Sequence, residues 1–238
     1  MKPFFFAAAF AGASLLAFSA SAVPVSIGVA QVTLVDSSKQ GPANDAAIYA
    51  AGFAANTPIG AVWSPLDPTI TPPPNTLPLV YQSPFESATI TRDGDNGPTY
   101  FSVGGSVAGG EGSTSPTTLT LADERSTLNI LWGSVDSYNT LTFLDSSNSV
   151  IQSITGTDVV NAFGLTGSAP NFRNVVLLHI ALPTAYKSLR FFSEGPTGQD
   201  IAAFEFALAP IPLPAAAWML LSALAGLGFV ARRKRAQA

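Results

Sequence analysis

The second half of the sequence consists of short β-prone runs, and this pattern constrains the fold more than any other feature. The runs are rich in Val, Ile, Leu, Thr and Phe, and clusters of Gly, Ser, Asn, Asp and Pro separate them. The predicted strands are residues 87–91, 99–103, 117–121, 128–132, 141–144, 150–154, 175–180, 189–192 and 203–208. Several runs alternate in period two, as in Phe204, Phe206 and Leu208. Short strands at this spacing predict an all-β fold, an antiparallel and jelly-roll-like β-sandwich.

The region before these runs is less regular. Residues 25–34 alternate in two registers, which predicts a first strand with a bulge or a break. Asn44 and Asp45 are suited to cap a short alanine-rich helix that ends near residue 55. Residues 57–84 contain eight prolines, which no continuous strand accommodates. This Pro-rich insertion is predicted to be a long loop or polyproline-like excursion, either a flexible insertion or a ligand for another protein.

The C-terminal segment has the composition of a membrane span. No charged residue occurs from Phe206 to Ala231. Residues 215–230, at about 1.5 Å per residue, nearly cross a hydrocarbon core of roughly 30 Å. A basic cluster follows, formed by Arg232, Arg233, Lys234 and Arg235. Because such a cluster resists translocation, we predict a transmembrane helix within residues 210–238, with the C-terminus in the cytoplasm and the preceding domain outside.

A proline motif precedes this span. It consists of Ile211, Pro212, Leu213, Pro214 and Ala215, and proline is tolerated in the first turn of a helix. The order of motif, span and basic tail resembles the PEP-CTERM sorting signals of Gram-negative bacteria, in the VPLPA-CTERM variant with Ile211 in place of Val. The resemblance implies processing by an exosortase, a membrane protease that removes the tail near the motif. The alternative is a permanent single-pass anchor, because composition alone shows only a span.

The N-terminus has the features of a secretory signal peptide. Lys2 precedes an apolar stretch over residues 4–18, and Ala20 and Ala22 provide the small residues of an A-x-A cleavage site. We therefore predict that residues 1–22 are removed by signal peptidase. Residues 23–209 then form the exported domain, which is long enough for a hydrophobic core.

Charge and cysteine content restrict the partners and the stabilisation of this domain. Residues 23–209 hold all fifteen carboxylates but only six of the eleven basic residues, so their formal net charge is −9. Such a charge argues against nucleic acid and anionic lipid surfaces as partners. No cysteine is present, so disulfides cannot stabilise the domain.

The densest polar and aromatic cluster lies between two predicted strands, and its candidate ligand-binding residues are Trp132, Asp136, Tyr138 and Asn139. An exposed aromatic ring beside Asp and Asn is how lectin-like sandwiches stack on a sugar and hydrogen-bond to it. The alternative is a structural corner, in which Trp132 fills the core and the polar side chains satisfy loop amides. The pattern of this region is similar to that of exported PEP-CTERM proteins of unknown activity, so the resemblance assigns no chemistry.

Metal and catalytic candidates are sparse. Asp93 and Asp95 have the spacing of the start of a calcium loop. Gly97 replaces the third ligand and Gly104 the bidentate glutamate, however, so a turn between strands explains the cluster more simply. We therefore predict no cofactor, with calcium at Asp93 and Asp95 as the alternative. His179 is the sole histidine, which excludes a His-rich zinc site. Spacing does not pair the five glutamates for glycoside hydrolysis; they are Glu86, Glu111, Glu124, Glu194 and Glu205.

The sequence therefore predicts an exported, exosortase-sorted protein of the cell surface or extracellular matrix, without catalytic activity. Its expected partners are signal peptidase and exosortase, the membrane through the C-terminal helix, and exopolysaccharide, since the resemblance links exosortase systems to exopolysaccharide production. Two alternatives remain open. One is a secreted polysaccharide-active hydrolase, which requires two carboxylates in one cleft; the other is a permanently anchored structural or adhesion protein.

Overall fold

The computed structural model describes residues 23–38, 52–71, 84–85, 99–104, 115–167, 174–193 and 203–209. The strands in these ranges are β1 (Val25–Ile27), β2 (Ala30–Ser38), β3 (Val62–Ser64), β4 (Thr69–Thr71), β5 (Tyr100–Gly104), β6 (Thr117–Val135), β7 (Asn139–Leu144), β8 (Val150–Thr155), β9 (Asn174–Ser193) and β10 (Ala203–Leu208). One helix, α1 (Gly156–Phe163), follows β8. Every pairing among the described strands is antiparallel. The all-β prediction is confirmed at this level.

The ten described strands form one connected sheet. The main path of hydrogen-bonded neighbours runs β1-β2-β9-β6-β10-β5-β4, and β3, β7 and β8 branch from it. β3 pairs with β6, β7 pairs with β9, and β8 pairs with β7. All the other described strands are therefore connected to β6 or β9, either directly or through a neighbouring strand.

Strands β6 and β9 pair with each other in two separate stretches. Residues 117–120 face residues 188–191, and residues 127–132 face residues 176–181. Between these stretches the register shifts on both sides of the Arg125 pair with Tyr186. Such irregularities bend a strand and increase its twist. We call this region the bend.

The bend divides the sheet into two blocks of strands. The five-strand block contains β3, the first part of β6, the last part of β9, β7 and β8. The seven-strand block contains β1, β2, the first part of β9, the last part of β6, β10, β5 and β4. Each long strand thus contributes to both blocks.

Aromatic rings from the two blocks contact one another in the core. Phe191 of the five-strand block stacks on Phe206 of the seven-strand block, with ring centroids 4.0 Å apart and an interplanar angle of 4°. Trp63 of β3 meets Phe101 of β5 edge-on at 5.1 Å. These residues belong to one cluster of buried apolar side chains. Aromatic pairs at such distances stabilise a core beyond their area burial.

A second apolar cluster covers the opposite face of the seven-strand block. Phe53 and Phe85, which lie outside the strands, pack there with Tyr100, Leu131 and Leu177. The central part of the seven-strand block therefore has apolar clusters on both faces.

The long strands correct the predicted strand boundaries. The runs 117–121 and 128–132 are parts of β6, and the runs 175–180 and 189–192 are parts of β9. The charged residues 123–125 resemble a turn in the sequence, but the register shifts at the bend accommodate them within a strand. The prediction for residues 203–208 agrees with β10.

Two other segments differ from expectation. The Pro-rich insertion is not only a loop, because it contributes β3 and β4, each three residues long. Both strands lie between prolines, which permits only short pairing. The predicted helix end near residue 55 is wrong, because Ala54 forms a β-bridge with Leu208.

Helix α1 was not predicted from the sequence, although its start carries a recognisable signal. Thr155 is the N-cap, and its hydroxyl accepts a hydrogen bond from the backbone N–H of Asp158 at 3.1 Å. The Asp158 carboxylate accepts one in return from the Thr155 backbone N–H at 2.8 Å. This is a capping box with Asp in the third helical position. Gly164, at φ 60°, ends the helix in the left-handed region that favours glycine.

Both terminal predictions fall outside the described residues. Residues 1–22, which include Ala20 and Ala22, are not described, and neither are residues 210–238, which include the proline motif and the basic cluster. Within the ranges that are described, no helix is long and apolar enough to cross a membrane.

Candidate functional site

The connection between β6 and β7 holds the polar residues predicted as a candidate site, and most of them are buried. Asp136 is 2% exposed and Asn139 is fully buried, while Tyr138 is half-buried. The Tyr138 hydroxyl donates to Asp136 Oδ2 at 2.8 Å, and the Asn139 backbone N–H donates to the Asp136 carbonyl at 3.1 Å. We call this connection, residues 136–139, the corner.

Hydrogen bonds tie the corner to the neighbouring strand. Asn139 pairs with Ser193 at the end of β9. The Ser193 hydroxyl donates to Asn139 Oδ1 at 2.8 Å in a fully buried bond. Buried polar groups with partners of this kind hold a loop in one conformation, since leaving one unsatisfied costs about 1 to 3 kcal/mol. The partners of the corner residues are thus supplied by the protein itself.

The start of α1 packs directly against the corner. Gly156 is buried, and a Cβ atom placed on it would overlap the backbone carbonyl group of Asp136. Because the obstacle is backbone, no side-chain rotation relieves it. The corner is therefore enclosed by β7, β9 and the first turn of the helix.

Trp132 lies in the core rather than at a surface. Its ring is fully buried and packs against Phe204 with centroids 4.4 Å apart. Ile130 belongs to the same buried cluster, and the partly buried Leu128 packs against it. Trp132 Nε1 has no hydrogen-bond partner among the described residues. Stacking on a sugar requires an accessible ring face, and this ring has none.

The remaining candidates of the sequence analysis do not form a described site. His179 is half-buried in β9, and its Nδ1 lies 2.7 Å from Asn129 Oδ1 on β6. Asp93 and Asp95 lie outside the described residues, and the side chains that are described include no group of three metal-binding residues. Among the five glutamates only Glu124 has a described side chain, and it is exposed.

A cavity of about 120 Å³ opens at the bend. Its walls are mainly aliphatic, and they include the five leucines Leu119, Leu121, Leu128, Leu189 and Leu208. Arg125, Thr127, Asn129 and Tyr186 add polar groups, and Pro58 and Ala209 complete the lining. We call it the bend cavity. Both long strands and β10 contribute to it, so it forms only when the two blocks are assembled.

Arg125 is the only basic residue among the described residues of this lining, and it is half-buried. Its guanidinium makes no hydrogen bond or ion pair with any other residue that the structure describes. The two preceding carboxylates, Asp123 and Glu124, are exposed to solvent. The nitrogen atoms of Arg125 are not among the buried side-chain atoms that lack a hydrogen-bond partner, so the guanidinium is accessible to a bound anion, which it would contact through charge-assisted hydrogen bonds.

Tyr186 lines the bend cavity together with Arg125. It is 2% exposed, and its hydroxyl donates to the carbonyl of Thr127 at 2.8 Å. Burial raises the pKa of Tyr186 well above its ordinary value, and the positive charge of Arg125 opposes this only in part. The phenol therefore stays protonated and serves as a structural donor rather than as an acid or base.

A second, more open cavity of about 320 Å³ lies beside β3. Trp63 and Phe101 line it with Asp67. Three large apolar residues of the same segment are exposed: Ile59, Val62 and Leu66. The Trp63 ring is 9% exposed and its Nε1 donates to Thr57, so it is mainly a core residue.

Comparison of the chain with family models, curated proteins and solved structures gives no match in any of the three. We therefore infer the chemistry of the site from its geometry alone. Sequence reasoning missed Arg125 and Tyr186, which are far apart in the chain and meet only through the pairing of β6 and β9. The one local signal was a charged triplet, residues 123–125, within an otherwise β-prone pattern.

Proposed function

We propose that this chain is an exported protein that an exosortase sorts to the cell surface or extracellular matrix, where it acts without catalytic activity. The observation that carries the proposal is the C-terminal sequence: the motif from Ile211 to Ala215, an uncharged span, and four basic residues at Arg232 to Arg235. The proline motif and the basic stop flank a span of membrane length, which is the order a temporary anchor requires.

We further propose that residues 23–209 fold as an antiparallel β-sandwich whose layers are the two blocks. The contacts of Phe191 with Phe206 and of Trp63 with Phe101 support this arrangement. They join side chains of strands that are not neighbours in the sheet, as facing layers would. Strands that pass between layers through bulges, as β6 and β9 would here, are a known way to make such corners.

In this proposal the exported domain contacts exopolysaccharide of the matrix through its surface. The sequence resemblance to exosortase-sorted proteins supports that setting, and the net charge of −9 favours neutral or cationic partners over anionic ones. The buried corner is an unsuitable sugar site, so contact would involve other surfaces. A glycan-array screen of the full chain tests this part, and binding to no glycan would leave a structural coat or adhesion protein.

The sorting proposal is tested by mass spectrometry of the mature protein from cells with and without an exosortase. We expect an N-terminus at Val23 in both strains and loss of residues 232–235 only where the exosortase is present. A double variant, Pro212→Ala with Pro214→Ala, should retain the tail in both strains. Pro183→Ala, an exposed proline within β9, serves as the matched control and should be processed normally.

Two results would contradict the sorting proposal. If mature protein from exosortase-containing cells keeps residues 232–235, the segment is a permanent anchor. If the N-terminus is Met1, the first 22 residues are not a cleaved signal peptide.

A further inference from the structure

The bend cavity combines an apolar lining with a basic side chain. Its walls are mainly aliphatic, and Arg125, the one cation among the described lining residues, makes no hydrogen bond or ion pair with another described residue. Purely apolar cavities bind apolar molecules, whereas an arginine offers a fork of donors that fits a carboxylate. We propose that the bend cavity binds an aliphatic carboxylate, with the carboxylate at Arg125 and the hydrocarbon body against the leucines.

The size of the cavity limits the hydrocarbon body. A cavity of about 150 Å³ lined by apolar residues accommodates benzene, with six heavy atoms. At about 120 Å³, the bend cavity suits roughly five carbon atoms by the same scale. That is the size of a leucine-like branched chain and is too small for a long fatty acyl chain.

The lining argues for an aliphatic ligand rather than a sugar. Sugars are held by accessible aromatic faces and several polar side chains. Among the described residues that line the bend cavity, the sole aromatic ring is that of Tyr186, whose hydroxyl already donates to the Thr127 carbonyl. The five leucines instead offer apolar surface, which pairs with hydrocarbon.

Arg125 is suited to bind the carboxylate of the ligand, and Arg190 serves as the control residue for this contact. Arg190 lies in β9 between Thr118 and Thr142, is half-buried, and is absent from the cavity lining. Removing its charge changes the net charge of the domain by the same amount as removing that of Arg125. The two arginines therefore separate a local contact from a general electrostatic effect.

The experiment is isothermal titration calorimetry on the full chain in zwitterionic nanodiscs, with empty nanodiscs as the blank. The probe is 4-methylpentanoate, and the uncharged isostere 4-methylpentanamide is its control. We expect the carboxylate to bind and the amide to bind at least about tenfold more weakly, because a charge-assisted hydrogen bond is lost. This comparison uses the unmodified protein, so it does not depend on whether a variant folds.

Variants localise the binding. Arg125→Gln should weaken 4-methylpentanoate binding about 10- to 100-fold, Arg125→Lys should restore part of the affinity, and Arg190→Gln should stay within about twofold of the unmodified protein. The proposal is overturned if the carboxylate does not bind, if the amide binds equally well, or if Arg190→Gln weakens binding as much as Arg125→Gln.

The same chemistry has two natural sources, a free branched-chain acid and the C-terminal leucine of a peptide. Gly-Gly-Gly-Leu with a free C-terminus and its C-terminally amidated form distinguish them. Tighter binding of the free peptide than of 4-methylpentanoate identifies a protein C-terminus as the ligand. Weaker binding of the peptide identifies the small acid, and either result supports the carboxylate site. The proposal does not depend on exosortase sorting.

Discussion

The corner and the bend both place polar side chains beside apolar ones, but they differ in whether the chain itself provides hydrogen-bond partners for those side chains. At the corner, Asp136 and Asn139 are buried and hydrogen-bonded to groups of the same chain. At the bend, Arg125 lies half-buried beside leucines with no partner for its guanidinium among the described residues. The dense polar residues of the corner thus form a structural network, whereas a charge without a partner in the described part of the chain indicates a candidate site at the bend.

This contrast predicts opposite effects of substitution. Groups that are satisfied internally contribute to stability, and removing one leaves an orphaned partner. A half-buried charge without a partner contributes little to stability, and its removal affects only what binds to it. Four sets of variants, ordered by the expected effect on the free energy of unfolding, test the contrast.

Gly156→Ala should have the largest effect. The new Cβ would overlap the backbone carbonyl group of Asp136, so the helix and the corner must separate. We expect a loss of about 3 kcal/mol or more in the free energy of unfolding, at the upper end for overpacking. Urea denaturation followed by circular dichroism measures it.

Gly164→Ala is the matched control for this variant. It lies at the other end of the same helix, at φ +60°, with no atom within 4 Å of the added Cβ. Only backbone strain of about 1 kcal/mol is expected there. Equal losses for both variants would show that the corner is not packed as described.

Asp136→Ala should cost about 1 to 3 kcal/mol, because it removes the acceptor of the Tyr138 hydroxyl and opens space in a buried loop. Tyr138→Phe removes the other half of the same bond and should cost less, about 1 kcal/mol, because that ring is half-buried. The double variant should cost less than the sum of the two. If the losses in the free energy of unfolding are additive, the Asp136 carboxylate and the Tyr138 hydroxyl contribute to stability independently.

Tyr186→Phe should lower the free energy of unfolding by about 1 kcal/mol near neutral pH, through the lost hydrogen bond to Thr127.

The same variant also tests the pKa of the Tyr186 phenol. Since folding raises that pKa above its ordinary value of 10.0, the stabilisation is fully present below pH 10 and is lost as the pH rises further. The unmodified protein should therefore lose stability above pH 10 more steeply than Tyr186→Phe. Parallel slopes for the two proteins would contradict a buried, raised phenol.

Arg125→Gln should have the smallest effect on stability, within about 0.5 kcal/mol, because the guanidinium has no described partner to lose. Thermal denaturation of the full chain checks this, with Arg190→Gln alongside. A loss comparable to that of Asp136→Ala would show that Arg125 has a structural role and is not free to bind a ligand.

The sequence predicted the fold class and the positions of most strands, but not their continuity. The alternation of Phe204, Phe206 and Leu208 identified β10, because these large apolar side chains share one face of the strand and are all buried in the core. The charged residues at the bend interrupted the pattern of β6, and register shifts that depend on β9 decide that the strand continues. Such long-range pairing leaves no local trace in one sequence.

The candidate site was the less predictable part. The sequence brought together Trp132, Asp136, Tyr138 and Asn139 because they are neighbours in the chain, and a short connection keeps them close in any fold. Whether they face solvent depends on Gly156 and Ser193, which the fold brings in from elsewhere. The bend cavity could not be predicted from the sequence for the same reason, since its lining residues come from four separate parts of the chain.

The most direct test of the contrast between corner and bend is the affinity of 4-methylpentanoate for Tyr138→Phe and for Arg125→Gln, measured by calorimetry on the full chain. If the corner is structural and the bend binds the ligand, Tyr138→Phe should keep the affinity of the unmodified protein within about twofold, and Arg125→Gln should lose about 10- to 100-fold. If Tyr138→Phe loses the affinity while Arg125→Gln keeps it, the assignment of the two regions is wrong.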